Sequence, residues 1–237
     1  MFPEVNSLPA RWNESPNEES MSMIETMRFR SSTRAFLDEP ISREVIEPVL
    51  RDASRAPSAI NMQPWEVHMV LNEERKRLSK RLLRAYKERQ ITCGPGTTAT
   101  VPDRFMARAR QCAEGMTELV ARMGTDFKSY INEGSLNFYG APAVALIFLD
   151  KCFLPDRLTD IGSFVAYLVL AAAEHGLSSC PIGLVKSYED EIKDQLNVPE
   201  TKSLVVSVAL GKNDPQAPIN EFRSPRVDLK EFVRWID

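Results

Sequence analysis

Histidine is nearly absent from this chain: 237 residues contain two, His68 and His175. A Ser-His-Asp triad or a histidine-rich metal centre therefore has little material to draw on. The four cysteines, Cys93, Cys112, Cys152 and Cys180, are widely separated and form no CxxC pair. That spacing argues against a zinc site, and free, mostly buried thiols in a reducing cytosol are the simplest reading. Also missing are GxGxxG, HExxH and GxSxG, and Gly211-Lys212 lacks the upstream glycine and the following Ser or Thr of a Walker loop. These gaps argue against Rossmann, P-loop, zincin and α/β-hydrolase chemistry. Positive charge has no excess, with 30 Lys+Arg against 33 Asp+Glu and a net charge of -3. No general basic field is available to hold nucleic acid or an anionic membrane. The most apolar run, Ile161 to Ala173, is too short to span a bilayer. The first residues lack a signal-peptide core. The expectation is a cytoplasmic protein with no metal, nucleic-acid or membrane partner.

What is present is a core-forming composition, 43% apolar with 8% aromatic residues, enough for one sizeable domain. Residues 1–20, rich in Pro, Asn, Glu and Ser, have the composition of an extended arm, and 21–237 read as a single domain. Periodicity predicts helices over Met21–Phe29, Ile41–Ala53, Asn72–Gln90, Asp103–Met123 and Asp156–His175, the last ending at Gly176. Glu66–Leu71 reads as a strand, and the continuous apolar runs Ala143–Leu149 and Leu204–Leu210 read as central strands buried on both faces. Ser187-Tyr188-Glu189-Asp190 has the spacing of a capping box. Strands separated by helices predict an α+β or α/β layer fold with a mixed sheet.

Four polar clusters interrupt the apolar pattern. Arg30-Ser31-Ser32-Thr33-Arg34 sets two arginines and three hydroxyls in five residues, a combination able to grip a phosphate, and equally at home in a solvated turn. Ala56 to Trp65 carries Asn61 and Gln63 between Pro57 and Pro64; such amides match the donor and acceptor edge of a pyrimidine-like ring, and a proline-stiffened connector would look the same. Gly176 to Gly183 offers small residues for close backbone approach to a flat ligand. Phe222-Arg223-Ser224-Pro225-Arg226 is a second compact cationic element.

Taken in order, RSSTRAF, APSAINMQPW, FYGAP, GLSSCPIG and the terminal RSPR resemble the nitroreductase family of FMN enzymes from about Arg28 to Arg226. That resemblance implies a nitroreductase-like α+β fold, a mixed central sheet surrounded by helices, and a homodimer with FMN at the subunit interface. It places Arg30 and Ser32 at the FMN phosphate end, with Ser31 among the cofactor-binding residues, and Arg34 toward the ring in an electrostatic role. Asn61 and Gln63 then serve the isoalloxazine. Pro181, Ile182, Gly183 and Leu184 supply backbone around its reactive edge, and Arg223 is a second phosphate contact. Glu221 stands where the family often has a basic residue, leaving Arg226 or Lys212 as substitutes. The implied reaction is ping-pong hydride transfer from NADH or NADPH to a small planar acceptor, a nitroaromatic or quinone. Reductive dehalogenation, flavin reduction or breakdown, and non-catalytic flavin binding are the alternatives. Because FMN brings the chemistry, no protein nucleophile is required. Residues 72–137, with Tyr86, Phe105, Phe127 and Tyr130, form a helical insertion expected to wall or cover the acceptor pocket.

Overall fold

A computed structural model describes residues 22–237; the expected arm lies outside the described residues. Seven helices, α1 (Met23–Phe29), α2 (Arg43–Ala53), α3 (Asn72–Arg89), α4 (Asp103–Ala121), α5 (Phe127–Leu136), α6 (Leu158–Glu174) and α7 (Glu189–Leu196), surround a sheet of β1 (Trp65–Leu71), β2 (Ala143–Asp150), β3 (Ser178–Ile182) and β4 (Lys202–Gly211). The strand order is β1-β2-β4-β3. All three ladders are antiparallel, and the parallel component is the isolated bridge between Ser32 and Ser179 at the β3 edge.

The apolar runs explain this layering. Alternate side chains of a strand face opposite ways, so Val144, Leu146 and Phe148 of β2 enter one core with Leu78 and Leu82 of α3, Leu136 of α5 and Ile192 of α7. Ala143, Ala145, Ile147 and Leu149 enter the other with Ile46 and Val49 of α2 and Phe164 and Leu168 of α6. A strand with no polar face must be covered on both sides, and β2 is. A satellite cluster joins Met116 and Val120 of α4 to Ala217 and Ile219 of the C-terminal segment.

Helix α6 spans 17 residues, about 25 Å. Its C-terminal end follows the sequence expectation: Gly176 has a positive φ of 72°, and the Leu177 amide donates to the Ala172 carbonyl at 2.7 Å. The Ser187 capping box does not form. Ser187 lies within a 3-10 turn, Leu184–Tyr188, and α7 begins after Tyr188 without a side-chain cap. Among the described residues no helix is long and apolar enough to cross a membrane.

Candidate functional site

The turn after α1 is held by tertiary contacts rather than by its own hydrogen bonds. Thr33 N donates to Ser179 O at 3.0 Å, and Leu37 N donates to Lys212 O at 3.0 Å. Asn220, not singled out in the sequence, is the staple. Its Oδ1 accepts from Arg34 N at 2.9 Å, while its Nδ2 donates to Ala35 O at 2.8 Å and Asp214 O at 2.9 Å. Its carbonyl accepts from Arg223 at 2.8 Å, so one residue ties both arginine elements together. Helix α4 backs this segment through Gly115, where a Cβ would stand 2.8 Å from the Phe222 ring.

These contacts form a cavity of about 330 Å³ at the start of β3, lined by Arg30, Ser31, Thr33, Ser179, Asn220 and Arg223. The two expected phosphate arginines are thereby brought together from opposite ends of the chain. Burial, and secondarily the nearby Arg226 guanidinium, depress the Arg30 pKa. Arg223 and Arg226 donate to backbone carbonyls and to Ser224, and neither forms an ion pair among the described residues. Partly buried Arg30 with exposed Arg223 and Arg226 beside it, and no carboxylate paired to any of them among the described residues, makes a site suited to an anion.

Glu221 does not enter this cavity. Its carboxylate pairs with both terminal nitrogens of Arg122, the residue that caps the end of α4, at 3.2 and 3.3 Å. Lys212 is engaged by Glu39 at 3.0 Å. Of the two substitutes considered for the missing basic residue, Arg226 is therefore the one beside Arg30.

Arg34 lies further along, its carbonyl accepting a hydrogen bond from the Tyr130 hydroxyl and its guanidinium donating to Ser32 O at 3.3 Å. Burial pushes the Tyr130 phenol up to about 12, opposed by the positive charge of Arg34. Burial likewise raises the Cys180 thiol to about 11, against Arg34, a hydrogen bond from Ser32, and Arg30. Thiolate is the reactive form, so Cys180 should resist a disulfide reagent at about pH 8 until the protein unfolds. Exposed Cys93 should react at once, and Cys152, raised by its hydrogen bond to Asp150, more slowly. Labelling of Cys180 at the rate of Cys93 would contradict this ordering.

At the far end of β3, Pro181 and Gly183 are exposed, whereas Ile182 and Leu184 bury their side chains in the core. These four residues can offer backbone but not the Ile and Leu side chains. The Ile182 carbonyl is already taken, accepting from Ser207 Oγ at 3.2 Å. From Ser179 to Gly183 the strand runs about 13 Å, so the cationic cavity and this exposed backbone lie along one rail.

Asn61 and Gln63 are elsewhere. Their loop reaches the N-terminal end of α6, where Ala59 N donates to Asp160 Oδ1 at 3.2 Å. The cavity contacts Ala173 and Gly176 at the opposite end. Within one chain the two groups do not meet. Three left-handed exceptions within four residues, Ile60 at φ 46°, Asn61 at 58° and Gln63 at 48°, make this a strained loop. Ser58 Oγ accepts from Gln63 N at 3.0 Å, and Gln63 Nε2 donates to Asn61 Oδ1 at 3.2 Å. The loop is thus internally braced while Ile60 is 86% exposed, a combination suited to contact outside the chain.

Residues 72–137 hold α3, α4 and α5, and their aromatics divide. Tyr86 is buried in the core with α3 and cannot wall a pocket. Phe127 packs in the satellite cluster, Phe105 sits under the guanidinium groups of Arg104 and Arg108, and Tyr130 donates its hydroxyl hydrogen bond to the Arg34 turn.

The nitroreductase family model matches residues 27–212. The chain is 32% identical over 214 residues to nitroreductase NfnB of Mycolicibacterium smegmatis, covering 88% of this chain and 90% of that protein. It is 29% identical over 213 residues to the 4-nitrobenzoate reductase of Pseudomonas putida, covering 87% and 92%. The crystal structure of the FMN-dependent nitroreductase NfnB from Mycobacterium smegmatis in complex with NADPH matches with a TM-score of 0.81 at 30% identity, over 91% of this chain and 98% of that one.

Proposed function

The chain belongs to the nitroreductase family, and on that premise we propose that it is an FMN-dependent oxidoreductase that reduces nitroaromatic compounds with NAD(P)H. The observation that carries this reading is the cavity holding Arg30 and Arg223 beside Arg226, with no carboxylate among the described residues to neutralise them, at the head of a strand whose far end exposes backbone. Arg30, Arg223 and Arg226 would hold the FMN phosphate, with Ser31 as a neighbouring donor; Ser32, expected beside it, does not line the cavity, its side chain turning to Cys180. Pro181, Ile182, Gly183 and Leu184 would present backbone to the ring. Arg34 would place positive charge where electron density accumulates. When bound, FMN supplies two-electron transfer between a nicotinamide donor and the acceptor.

Asn61 and Gln63 reach this site only from a second copy of the chain, so the active unit in this reading is a homodimer. Exposed apolar side chains support it: Met23, Ile24 and Met27 on α1, Leu158 and Tyr167 on α6, and Trp235 and Ile236 at the C-terminal end. On α1 and α6, which contact each other, such apolar surface calls for cover. A cytoplasmic location belongs to the same reading. Residues 72–137 would bound the acceptor site through Tyr130.

The experiment is a visible spectrum of the purified protein with added FMN, before and after anaerobic NAD(P)H, followed by a nitroaromatic. A flavin spectrum that bleaches with the nicotinamide and returns with the nitro compound is the expected result. A flavin spectrum that does not bleach would make the chain a carrier, and a colourless protein would end the FMN assignment.

A further inference from the structure

Ser179 has a property that none of the expected contacts explains. It is 2% exposed, lines the Arg30 cavity, and its Oγ has no hydrogen-bond partner among the described residues. Its carbonyl is satisfied by Thr33 N at 3.0 Å, so the side chain alone is left over. The adjacent Cys180 belongs to the core on the other side of the sheet, which leaves Ser179 to the α6 side. A buried hydroxyl without a partner is costlier than a methyl group of the same shape. A turn of the side chain about χ1 would bring the Oγ into the cavity, where an arriving oxygen would remove that cost. Ser79, another buried hydroxyl without a partner, lies on α3 and is not part of this cavity.

We propose that Ser179 is a phosphate ligand, its Oγ–H donating to a phosphate oxygen of FMN between Arg30 and Arg223. The assignment rests on the FMN reading above. The two cations select the anionic end of the cofactor rather than its sugar or ring, because a hydrogen bond from a hydroxyl to a charged acceptor is the stronger kind. Ser179 would thereby contribute to the choice of FMN over riboflavin.

The test uses full-length apoprotein, wild type and Ser179→Ala, titrated with FMN and with riboflavin by fluorescence quenching, together with thermal unfolding of each apoprotein. Alanine is close to isosteric with serine, so the fold should survive. The expected result is a Kd for FMN about tenfold higher, or about 1.4 kcal/mol, with riboflavin binding changed less than about twofold and the apoprotein Tm equal or higher. Unchanged FMN affinity would overturn the assignment. Equal weakening of both flavins would overturn it as well, moving the hydroxyl to the sugar or ring. An apoprotein Tm lowered by several degrees would assign Ser179 a structural role instead. If wild-type protein binds no FMN, the functional reading fails and takes this assignment with it; if wild type binds and the variant binds equally, only the Ser179 assignment fails.

Discussion

Arg30→Ala should weaken FMN binding by about 2–4 kcal/mol, on the order of a hundredfold in Kd, because it removes a charged donor from a partly desolvated anion site. The folded apoprotein should not suffer in proportion. Arg30 is pressed by burial and by the Arg226 charge, so removing it relieves repulsion in the empty cavity while abolishing attraction in the filled one. The two effects separate in a thermal shift assay: apoprotein Tm holds or rises, and the increment produced by saturating FMN shrinks. Arg30→Lys should recover part of the affinity, since an ammonium keeps the charge but not the bidentate fork. Lys212→Ala supplies the control, its side chain being occupied by Glu39. An Arg30→Ala protein with wild-type FMN affinity would remove this cavity from the cofactor site.

The sequence made the central layer legible where one physical demand dominated. β2 is apolar on both faces from Ala143 to Leu149, and β4 nearly so from Leu204 to Leu210 with Ser207 alone polar, a pattern satisfied by a strand covered on both sides. The edge strand β3 was hidden because Ser178-Ser179-Cys180-Pro181-Ile182 has little strand propensity, and its order comes from pairing with β4 and from the Ser32 bridge. α5 was hidden by Gly134, which reads as a breaker; in the fold a Cβ there would lie 2.6 Å from the Tyr139 ring, so the glycine serves packing rather than a turn. The arginines of the site were legible as residue types, but not their neutralisation pattern. Glu221 turns outward to Arg122, a partner 99 residues away, and nothing local announces that. Asn220 carried no motif because its role is three backbone contacts, made only after the Arg34 turn and the C-terminal segment meet.

The separation of Asn61 from Arg30 along α6 leads to the second large effect. Asn61→Gly should remove the amide while preserving the left-handed backbone at φ 58°, since glycine adopts that conformation without strain. Its homodimer should bind FMN and turn over at least about tenfold more slowly, as expected when a hydrogen bond to the reacting ring is lost. The Arg30→Ala homodimer should be nearly inactive at low FMN. Co-expression with two affinity tags isolates the mixed dimer. If each site takes Arg30 from one subunit and Asn61 from the other, one of its two sites has both native residues and the other has neither. Two-fold symmetry then gives a mixed dimer about half as active as wild type, far above either parent. If a single chain supplies both residues, every site in the mixed dimer carries one defect and no activity returns. Recovery therefore requires that the strained, exposed loop at one end of α6 complete the cationic cavity of the neighbouring copy.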